Sequence, residues 1–324
     1  METNFGRGSV LAMIVTVTLN PALDRTLTVP RILFDEMVQA TAARLDWGGK
    51  GFNVSRALHA LGVENVAMGL VGGATGQMLE RGLSGLGIVT DLVQIAGETR
   101  TNVVITEADG EHYVKVNEAG PLVQPAELSA LLERIRGRVA SGDIWVLSGS
   151  LPLGVPNDFY AQLVILLRGA GVRVLLDTSG EPLRLGCAAG PYLVKPNTAE
   201  AEAATGCSIG SAADALDAAE FFLHRGCELV ALSLAEDGLL LASQREAVWA
   251  RPPRVQVHNS VGAGDALLAG VAWALEQGES LDEMARWGVG CGTAAAARKG
   301  VSVGTLAEIE KLREQAQVVW MNKD

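Results

Sequence analysis

Residues 259–265, with the sequence NSVGAGD, place three small residues directly before a carboxylate. They lie between a β-like segment, residues 255–258, and an apolar run, residues 266–275, that predicts a helix. Small residues at such a junction let backbone N–H groups approach a ligand, and a helix N-terminus attracts anions such as phosphate. Asp265 would be repelled by a resting phosphate, but it is well placed to take a proton from an attacking hydroxyl. The stretch therefore predicts phosphoryl transfer, and an ordinary tight turn with an acidic first-turn residue is the alternative.

A second glycine-rich turn, residues 46–54 with the sequence DWGGKGFNV, also leads into a helical pattern. It is not a P-loop, because Lys50 is followed by glycine rather than serine or threonine and the preceding glycine spacing differs. A glycine-rich turn alone is weak evidence for a ligand site. Lys50 and Asn53 beside these glycines favour substrate binding over a purely structural turn.

Four further polar residues each allow a functional and a structural interpretation. Asp24 follows a predicted strand, where a carboxylate can bind sugar hydroxyls or cap a turn. Arg100 could clamp a phosphate with its planar donor fork or be a solvated surface charge. Asn197 and Glu200, three residues apart at a predicted helix start, suit a magnesium ion held through water. Their spacing fits a capping box equally well, and both roles can hold together.

The composition narrows the class of protein. The chain has 324 residues, a net charge of −11, a pI of about 5.0 and a mean hydropathy of +0.24. These values are typical of a soluble globular protein, and without a long basic run they argue against nucleic acid and anionic membranes as partners. The four cysteines form no CxxC pair, which favours reduced thiols in the cytoplasm. The apolar run at residues 10–19 is too short to span a bilayer.

Strand and helix patterns alternate along most of the chain and predict an α/β fold with a doubly wound, mostly parallel sheet flanked by helices. The predicted strands are residues 13–19, 65–71, 143–147, 172–176, 192–194 and 229–234, and the predicted helices include 77–86, 125–139, 157–169 and 281–298. Two regions interrupt the alternation: residues 26–45, and residues 102–116 with a hairpin signal at Asp109-Gly110. They predict a small sheet that projects from the main domain.

Six motifs follow one another along the chain, and their combination is more specific than any one of them. They are residues 19–24 (LNPALD), 48–54 (GGKGFNV), 99–102 (TRTN), 148–152 (SGSLP), 194–200 (VKPNTAE) and 261–265 (VGAGD). On these residues the chain resembles the ribokinase-like carbohydrate kinases, specifically the phosphofructokinase-B branch that phosphorylates hexose phosphates. The resemblance implies a single α/β domain over residues 13–310, with a β lid formed by about 25–46 and 100–118. Residues 1–12 are expected to be a disordered extension.

The resemblance also implies a division of roles. Catalysis would fall to Asp265 as the base and to the backbone amides of Gly262, Ala263 and Gly264 around the transferred phosphoryl group. The acceptor sugar would be bound by Asp24, Gly48, Gly49, Lys50, Asn53, Arg100 and Ser148, with Lys50 and Arg100 on its existing phosphate. ATP and Mg²⁺ would be bound by Lys195, Asn197, Glu200, Ser233, Gly238, Ser260, Gly262 and Gly264, with Asn197 and Glu200 nearest the metal. The lid would cover the sugar and pair with a partner's lid in a homodimer.

Departures from the family pattern bear on the cofactor and the substrate. Ala235 stands where glycine is common, so the nucleotide loop is expected to differ slightly in shape. Ala266 stands where serine is common and Arg298 where asparagine is common, so a bound K⁺ is left open. The Gly-Lys-Gly turn and residues 116–121 (VNEAGP) favour fructose-1-phosphate as the acceptor, although Val104 replaces a lysine that is usual in fructose-1-phosphate kinases. Tagatose-6-phosphate and fructose-6-phosphate are the alternatives.

Three other functions are compatible with parts of the pattern. A kinase of an unphosphorylated sugar or nucleoside would share Asp265 but would have no use for Lys50 and Arg100. A non-catalytic sugar-phosphate sensor would keep the same residues for binding alone. A dinucleotide-dependent dehydrogenase needs a glycine fingerprint at the first βα turn, where residues 20–24 (NPALD) stand instead. The sequence therefore predicts an ATP-dependent kinase of a ketohexose phosphate.

Overall fold

The computed structural model describes residues 12–109, 112–298, 300 and 302–322. The strands in these ranges are β1 (Ile14–Thr18), β2 (Ala22–Val29), β3 (Ala42–Gly48), β4 (Asn65–Gly72), β5 (Val89–Ile95), β6 (Arg100–Glu107), β7 (Tyr113–Asn117), β8 (Ile144–Ser148), β9 (Arg173–Asp177), β10 (Leu193–Val194), β11 (Leu229–Ser233), β12 (Leu239–Ser243), β13 (Ala247–Arg251) and β14 (Gln317–Met321). The helices are α1 (Lys50–Ala60), α2 (Gly73–Gly85), α3 (Pro125–Arg138), α4 (Phe159–Gly169), α5 (Gly180–Ala188), α6 (Thr198–Thr205), α7 (Ala212–Leu223), α8 (Ala263–Glu276), α9 (Leu281–Ala296) and α10 (Leu306–Gln315). No helix in the described ranges is long and apolar enough to cross a membrane.

The main sheet has ten strands in the order β14-β13-β12-β11-β10-β9-β8-β1-β4-β5. Neighbours from β5 to β11 pair in parallel, and β12, β13 and β14 add an antiparallel edge. Both faces are buried: Ile144 and Val146 pack with α1, α8 and α9, while Trp145 and Leu147 pack with α3 and α4. Because successive strand residues alternate between faces, burial on both explains the continuous apolar runs in the sequence. The predicted doubly wound, mostly parallel architecture is confirmed.

A separate four-stranded sheet, here called the lid sheet, has the order β3-β2-β6-β7. The chain first enters it after β1 and leaves it before α1, and it enters the lid sheet again between β5 and α3. The lid sheet is therefore attached where β1 ends, at the edge of a parallel sheet that usually binds ligands. Gly110 of the predicted hairpin turn and residues 1–11 of the predicted extension lie outside the described residues.

Two sequence expectations need correction. The segment at residues 255–258 is not a strand: it follows Pro252 and Pro253, and the N–H groups of His258 and Asn259 donate to the carbonyl of Ala296 at the end of α9. No strand in the described part of the chain pairs with this alternating segment. The main sheet also continues past residue 310, because β14 pairs with β13.

Candidate active site

Asp265 lies in the first turn of α8, directly after the left-handed cap residue Gly262 at φ 82°. Its side chain is buried, and its Oδ2 accepts a hydrogen bond of 2.8 Å from Nδ2 of Asn53 in α1. This contact joins the two glycine-rich turns, which are separated by about two thirds of the chain. The structure therefore brings together the two motifs that the sequence singled out first.

The environment of Asp265 makes its carboxylate a stronger base than an ordinary one. Burial and the nearby charge of Asp177 raise the pKa of Asp265 to about 6, against the opposing effects of Lys50, Asn53 and Lys195. At neutral pH the group is mostly deprotonated, yet its affinity for a proton is higher than that of an exposed aspartate. These properties suit a general base.

Asp177, at the carboxyl end of β9, is a site residue that the sequence analysis missed. It is fully buried, with Nζ of Lys50 2.9 Å from its Oδ1 and Nζ of Lys195 3.3 Å from its Oδ2. Burial alone would raise the pKa of Asp177, but the two ammonium groups outweigh it and hold that pKa below its ordinary value. A carboxylate that ends a buried parallel strand was the available signal, since ligands bind outside these strand ends.

Lys50 lies beside the reaction centre rather than apart from it. Besides its contact with Asp177, its Nζ is 3.9 Å from Oε1 of Glu200. Burial opposes the charge, but Asp177, Glu200 and Asp265 together hold the pKa of Lys50 above its ordinary value. Lys50 therefore stays protonated at neutral pH and is a charged hydrogen-bond donor near Asp265.

The side chain of Lys195 reaches the start of α8 near Gly264. A Cβ atom placed on Gly264 would lie 3.6 Å from its Nζ. The ammonium group is thus close to the helix N-terminus, where backbone N–H groups without intrahelical partners add positive potential. Two lysines and a helix end therefore surround the space next to Asp265.

Asn197 and Glu200 form a capping box at the start of α6. The side chain of Asn197 accepts from the amide of Glu200 at 2.8 Å, and Oε2 of Glu200 accepts from the amide of Asn197 at 3.0 Å. Oε1 of Glu200 faces Lys50 and keeps its capacity to bind water. Within the described residues, no group of three or more His, Cys, Asp or Glu side chains could hold a metal ion. This donor set fits Mg²⁺, which keeps several waters and relies on substrate phosphates.

The residues predicted for the nucleotide lie at the end of β11, in the turn that follows it and in the turn before α8. Ser233 at the end of β11 forms an isolated bridge with Asn197. Gly238 has φ 92°, and a Cβ there would lie 2.1 Å from the carbonyl of Ala250, so only glycine fits. Ala235 has a positive φ of 51°, which a glycine would adopt with less strain. The carbonyl of Ser260 accepts from the amide of Ala263 at 3.2 Å and closes the turn before α8.

Asp24 lies on the face of the lid sheet that is continuous with the glycine turn. Its Oδ1 accepts from Nδ2 of Asn102 at 2.7 Å, and burial raises the pKa of Asp24 above its ordinary value. A Cβ on Gly48 would lie 2.2 Å from Oδ2 of Asp24, and Gly49 has φ 117°. Both glycines are therefore required by the close approach of Asp24 and by the backbone conformation of the turn.

Arg100 connects the lid sheet to the main sheet. Its Nη2 donates to the carbonyl of Asn20 and its Nη1 to that of Glu118, both at 3.0 Å. The two guanidinium nitrogens therefore bind backbone groups, and the sequence alone could not show this. The predicted contact of Arg100 with a substrate phosphate stays a prediction.

Several buried polar atoms around these residues have no hydrogen-bond partner among the described residues. They include Oγ1 of Thr18, Oδ1 of Asn20, Asn53 and Asn102, Oγ of Ser148 and Nε of Arg100. Buried polar atoms are almost always paired in folded proteins. Their occurrence at the carboxyl ends of β1 and β8 and at the base of the lid sheet indicates a cleft for a polar ligand. Ser148 was predicted, whereas Thr18, Asn20 and Asn102 were missed although each lies within or beside a motif.

The comparison with known proteins agrees with this geometry. A family model described as pfkB family carbohydrate kinase matches residues 14–308. The chain belongs to this family. It is therefore a carbohydrate kinase, and the family and enzyme class that the six motifs predicted are confirmed.

The names of individual relatives indicate two different sugar phosphate substrates. The 1-phosphofructokinase of Xanthomonas campestris is 39% identical over 277 residues, which cover 84% of this chain and 87% of that protein. The ATP-dependent 6-phosphofructokinase isozyme 2 of Mycobacterium tuberculosis is 33% identical over 304 residues, 94% of this chain and 89% of that protein. Among solved structures, phosphofructokinase-2 from Escherichia coli in complex with potassium has a TM-score of 0.89 and 31% identity, and the match covers 94% of this chain and 99% of that one.

Proposed function

We propose that the protein transfers the γ-phosphoryl group of ATP to the 6-hydroxyl of fructose-1-phosphate and forms fructose-1,6-bisphosphate. The observation that carries this proposal is the buried carboxylate of Asp265, held by Asn53 at the start of α8 and flanked by Lys50 and Lys195. The relatives named 1-phosphofructokinase support the choice of acceptor. Fructose-6-phosphate and tagatose-6-phosphate are the alternative acceptors, the first because of the Mycobacterium tuberculosis relative.

In the proposed reaction Asp265 accepts the proton of the attacking hydroxyl. Because Asn53 occupies Oδ2, Oδ1 is the atom left to take this proton. The hydroxyl oxygen forms a bond to the γ-phosphorus as the bond from that phosphorus to the oxygen of ADP breaks. The first-turn amides of Gly262, Ala263 and Gly264 lie at a helix N-terminus and stabilise the negative charge on the transferred group.

Lys50 and Lys195 complete the positive surroundings of that group. Asp177 acts as their anchor, since it fixes both ammonium groups before any ligand binds. Glu200 and Asn197 would hold Mg²⁺ through water, and the ion would supply further positive charge beside the ATP phosphates. Ser233, Gly238 and Ser260 line the nucleotide side, and Asp24, Gly48, Gly49, Arg100 and Ser148 line the sugar side.

The lid sheet also supports a homodimer. The face opposite Asp24 carries three exposed large apolar side chains, Leu45, Val114 and Val116, with exposed fractions of 42%, 39% and 57%. A second copy of the chain could cover them with the same face of its own lid sheet in a two-fold arrangement.

We place the protein in the cytoplasm, because its cysteines are free thiols and three of the four are buried.

A monovalent cation is a further candidate cofactor of the reaction. The Escherichia coli structure contains potassium, and in this chain residues 299 and 301 near Arg298 lie outside the described residues. Arg298 itself forms an ion pair with Glu308. Activity measured in K⁺ and in Na⁺ at equal ionic strength tests this requirement.

A substrate panel tests the proposed reaction. Purified protein is assayed with Mg²⁺-ATP and with fructose-1-phosphate, fructose-6-phosphate, tagatose-6-phosphate, fructose, ribose or adenosine. We expect the highest kcat/KM with fructose-1-phosphate. A preference for another ketohexose phosphate corrects the acceptor, a preference for ribose or adenosine refutes a hexose phosphate kinase, and no ATP turnover with any acceptor favours a sensor.

A further inference from the structure

The two cations that the sequence assigned to the existing phosphate of the sugar already contact groups of the protein. Lys50 contacts Asp177 and lies near Glu200 at the reaction centre. Arg100 donates from both Nη atoms to backbone carbonyls, and only its buried Nε has no partner among the described residues. Because the chain as a whole is acidic, a phosphate at the far end of the sugar from Asp265 would be bound more tightly with a further cation beside it. The face of the lid sheet that carries Asp24 is the surface that extends away from the reaction centre.

The register of the lid sheet shows which residues share that face. Asp24 of β2 pairs with Asn102 of β6, which pairs with Asn117 of β7. Side chains two residues apart on a strand point to the same face, so the next row towards the tip contains Val104 and its cross-strand partner Lys115. Lys115 is therefore a cation on the Asp24 face of the lid sheet, directly opposite the uncharged Val104.

The side chain of Lys115 is available for a ligand. It is exposed, and it makes no hydrogen bond or ion pair with any residue in the described part of the chain. Arg44, which lies on the same face in β3, instead donates from Nε to Asp46 at 2.7 Å. Burial raises the pKa of Asp24, whereas the hydrogen bond from Asn102 and the positive charge of Lys115 oppose that rise. The ammonium group is thus close enough to act on the carboxylate that faces the sugar.

We propose that Lys115 binds the existing phosphate of the sugar substrate and so determines the preference for phosphorylated over unphosphorylated acceptors. This inference rests on the proposed function. Asp265 contacts the reacting hydroxyl at one end of the sugar, and Lys115 contacts the phosphate at the other end. Asp24 contacts the sugar hydroxyls that lie between these two groups. Three ammonium donors on a flexible stem can follow the phosphate as the lid sheet closes on the sugar.

The test compares Lys115→Met with Lys311→Met, which removes an exposed lysine from α10, and with the conservative variant Lys115→Arg. Loss of a charge-assisted hydrogen bond to phosphate predicts a KM for fructose-1-phosphate that is about 10- to 100-fold higher in Lys115→Met. The KM for ATP and the kcat/KM for unphosphorylated fructose should stay at wild-type values. Lys115→Arg should recover most of the loss, and Lys311→Met should match the wild type.

Binding of fructose-1-phosphate, measured by calorimetry on the same proteins, separates this inference from the proposed reaction. Unchanged KM and affinity in Lys115→Met, or an equal loss with fructose and fructose-1-phosphate, would overturn the role of Lys115. Wild-type protein that binds fructose-1-phosphate through Lys115 but does not phosphorylate it would refute the proposed reaction alone. Wild-type protein that neither binds nor phosphorylates it refutes both.

Discussion

The reaction centre and the lid sheet differ in how far their charged groups are satisfied by the protein itself. At the reaction centre, Asp177 is fully buried between Lys50 and Lys195, and Asp265 has its own amide donor. On the lid sheet, Asp24 is bound by one amide, and Lys115 has no ion-pair partner among the described residues. The groups that act on the transferred phosphoryl are therefore preorganised by one another, whereas those that recognise the acceptor are completed only when it binds.

This difference predicts separate effects on the kinetic constants. Changes at the reaction centre should lower kcat, because they remove interactions that stabilise the transition state. Changes on the lid sheet should act on the KM of the sugar phosphate or on assembly, because the lid sheet contributes binding rather than chemistry.

The largest effect is expected for Asp265→Asn. The amide keeps the shape and the contact with Asn53 but cannot accept the hydroxyl proton, so kcat should fall by about 1,000-fold. Thermal unfolding should change little. Asp217→Asn, an exposed position on α7, is the matched control and should keep wild-type kcat. Activity near the wild-type level in Asp265→Asn would contradict the assignment of the base.

Asp177→Asn should have the next largest effect. It leaves two lysines without their shared carboxylate, so kcat should fall by about 100-fold, and the free energy of unfolding should fall by about 3 kcal/mol. The matched control is Asp143→Asn, a buried aspartate that accepts from the amides of Met13 and Ala140. That variant should lose about 1 kcal/mol of stability with kcat unchanged. Urea titration and steady-state kinetics measure both quantities, and equal kcat losses in the two variants would show that Asp177 acts only on stability.

The pH dependence tests the electrostatic link between the two aspartates. Asp265 must be deprotonated to act, so kcat/KM should rise with pH through a midpoint of about 6 and level off at higher pH. In Asp177→Asn this midpoint should move to lower pH, because the charge that raises the pKa of Asp265 is gone while both lysines remain. Since a sugar phosphate also titrates near pH 6, the difference between variants is the informative quantity. Lys115→Met should keep the wild-type midpoint, and a shift equal to that of Asp177→Asn would contradict the separation of the two regions.

The sequence predicted more of the fold than of the site, for physical reasons that particular residues illustrate. Buried parallel strands such as β1 and β4 are largely continuous apolar runs, so their positions can be predicted from the local sequence alone. The position of Asp177 at the end of a buried strand could be read from the sequence, but its contacts with Lys50 and Lys195 are made only in the tertiary structure. The contact of Lys50 with Asp177 and those of Arg100 with backbone carbonyls could not be predicted either. A motif gives the residue types but not the direction in which long side chains point.

Elements with weak local patterns were missed for a different reason. Helix α5 begins with glycine and contains a proline in its first turn, so its propensity is low. Strand β14 is half exposed and owes its existence to pairing with β13. The alternating segment at residues 255–258 shows the converse, because a strand-like pattern without a partner strand does not form a strand.

The smallest effect on turnover is expected for Val116→Asp, on the face of the lid sheet opposite Asp24. Val116 is 57% exposed in one chain, and in the proposed dimer a carboxylate at this position would be buried in an apolar interface. The variant should therefore be monomeric by size-exclusion chromatography with light scattering, while kcat stays within about twofold because the residues that act on the phosphoryl group belong to one chain. Val319→Asp, at a 55% exposed position on β14, is the matched control and should remain dimeric. A wild-type protein that is monomeric at micromolar concentration, or a dimeric Val116→Asp, would contradict assembly through this face and leave the lid sheet as a recognition surface only.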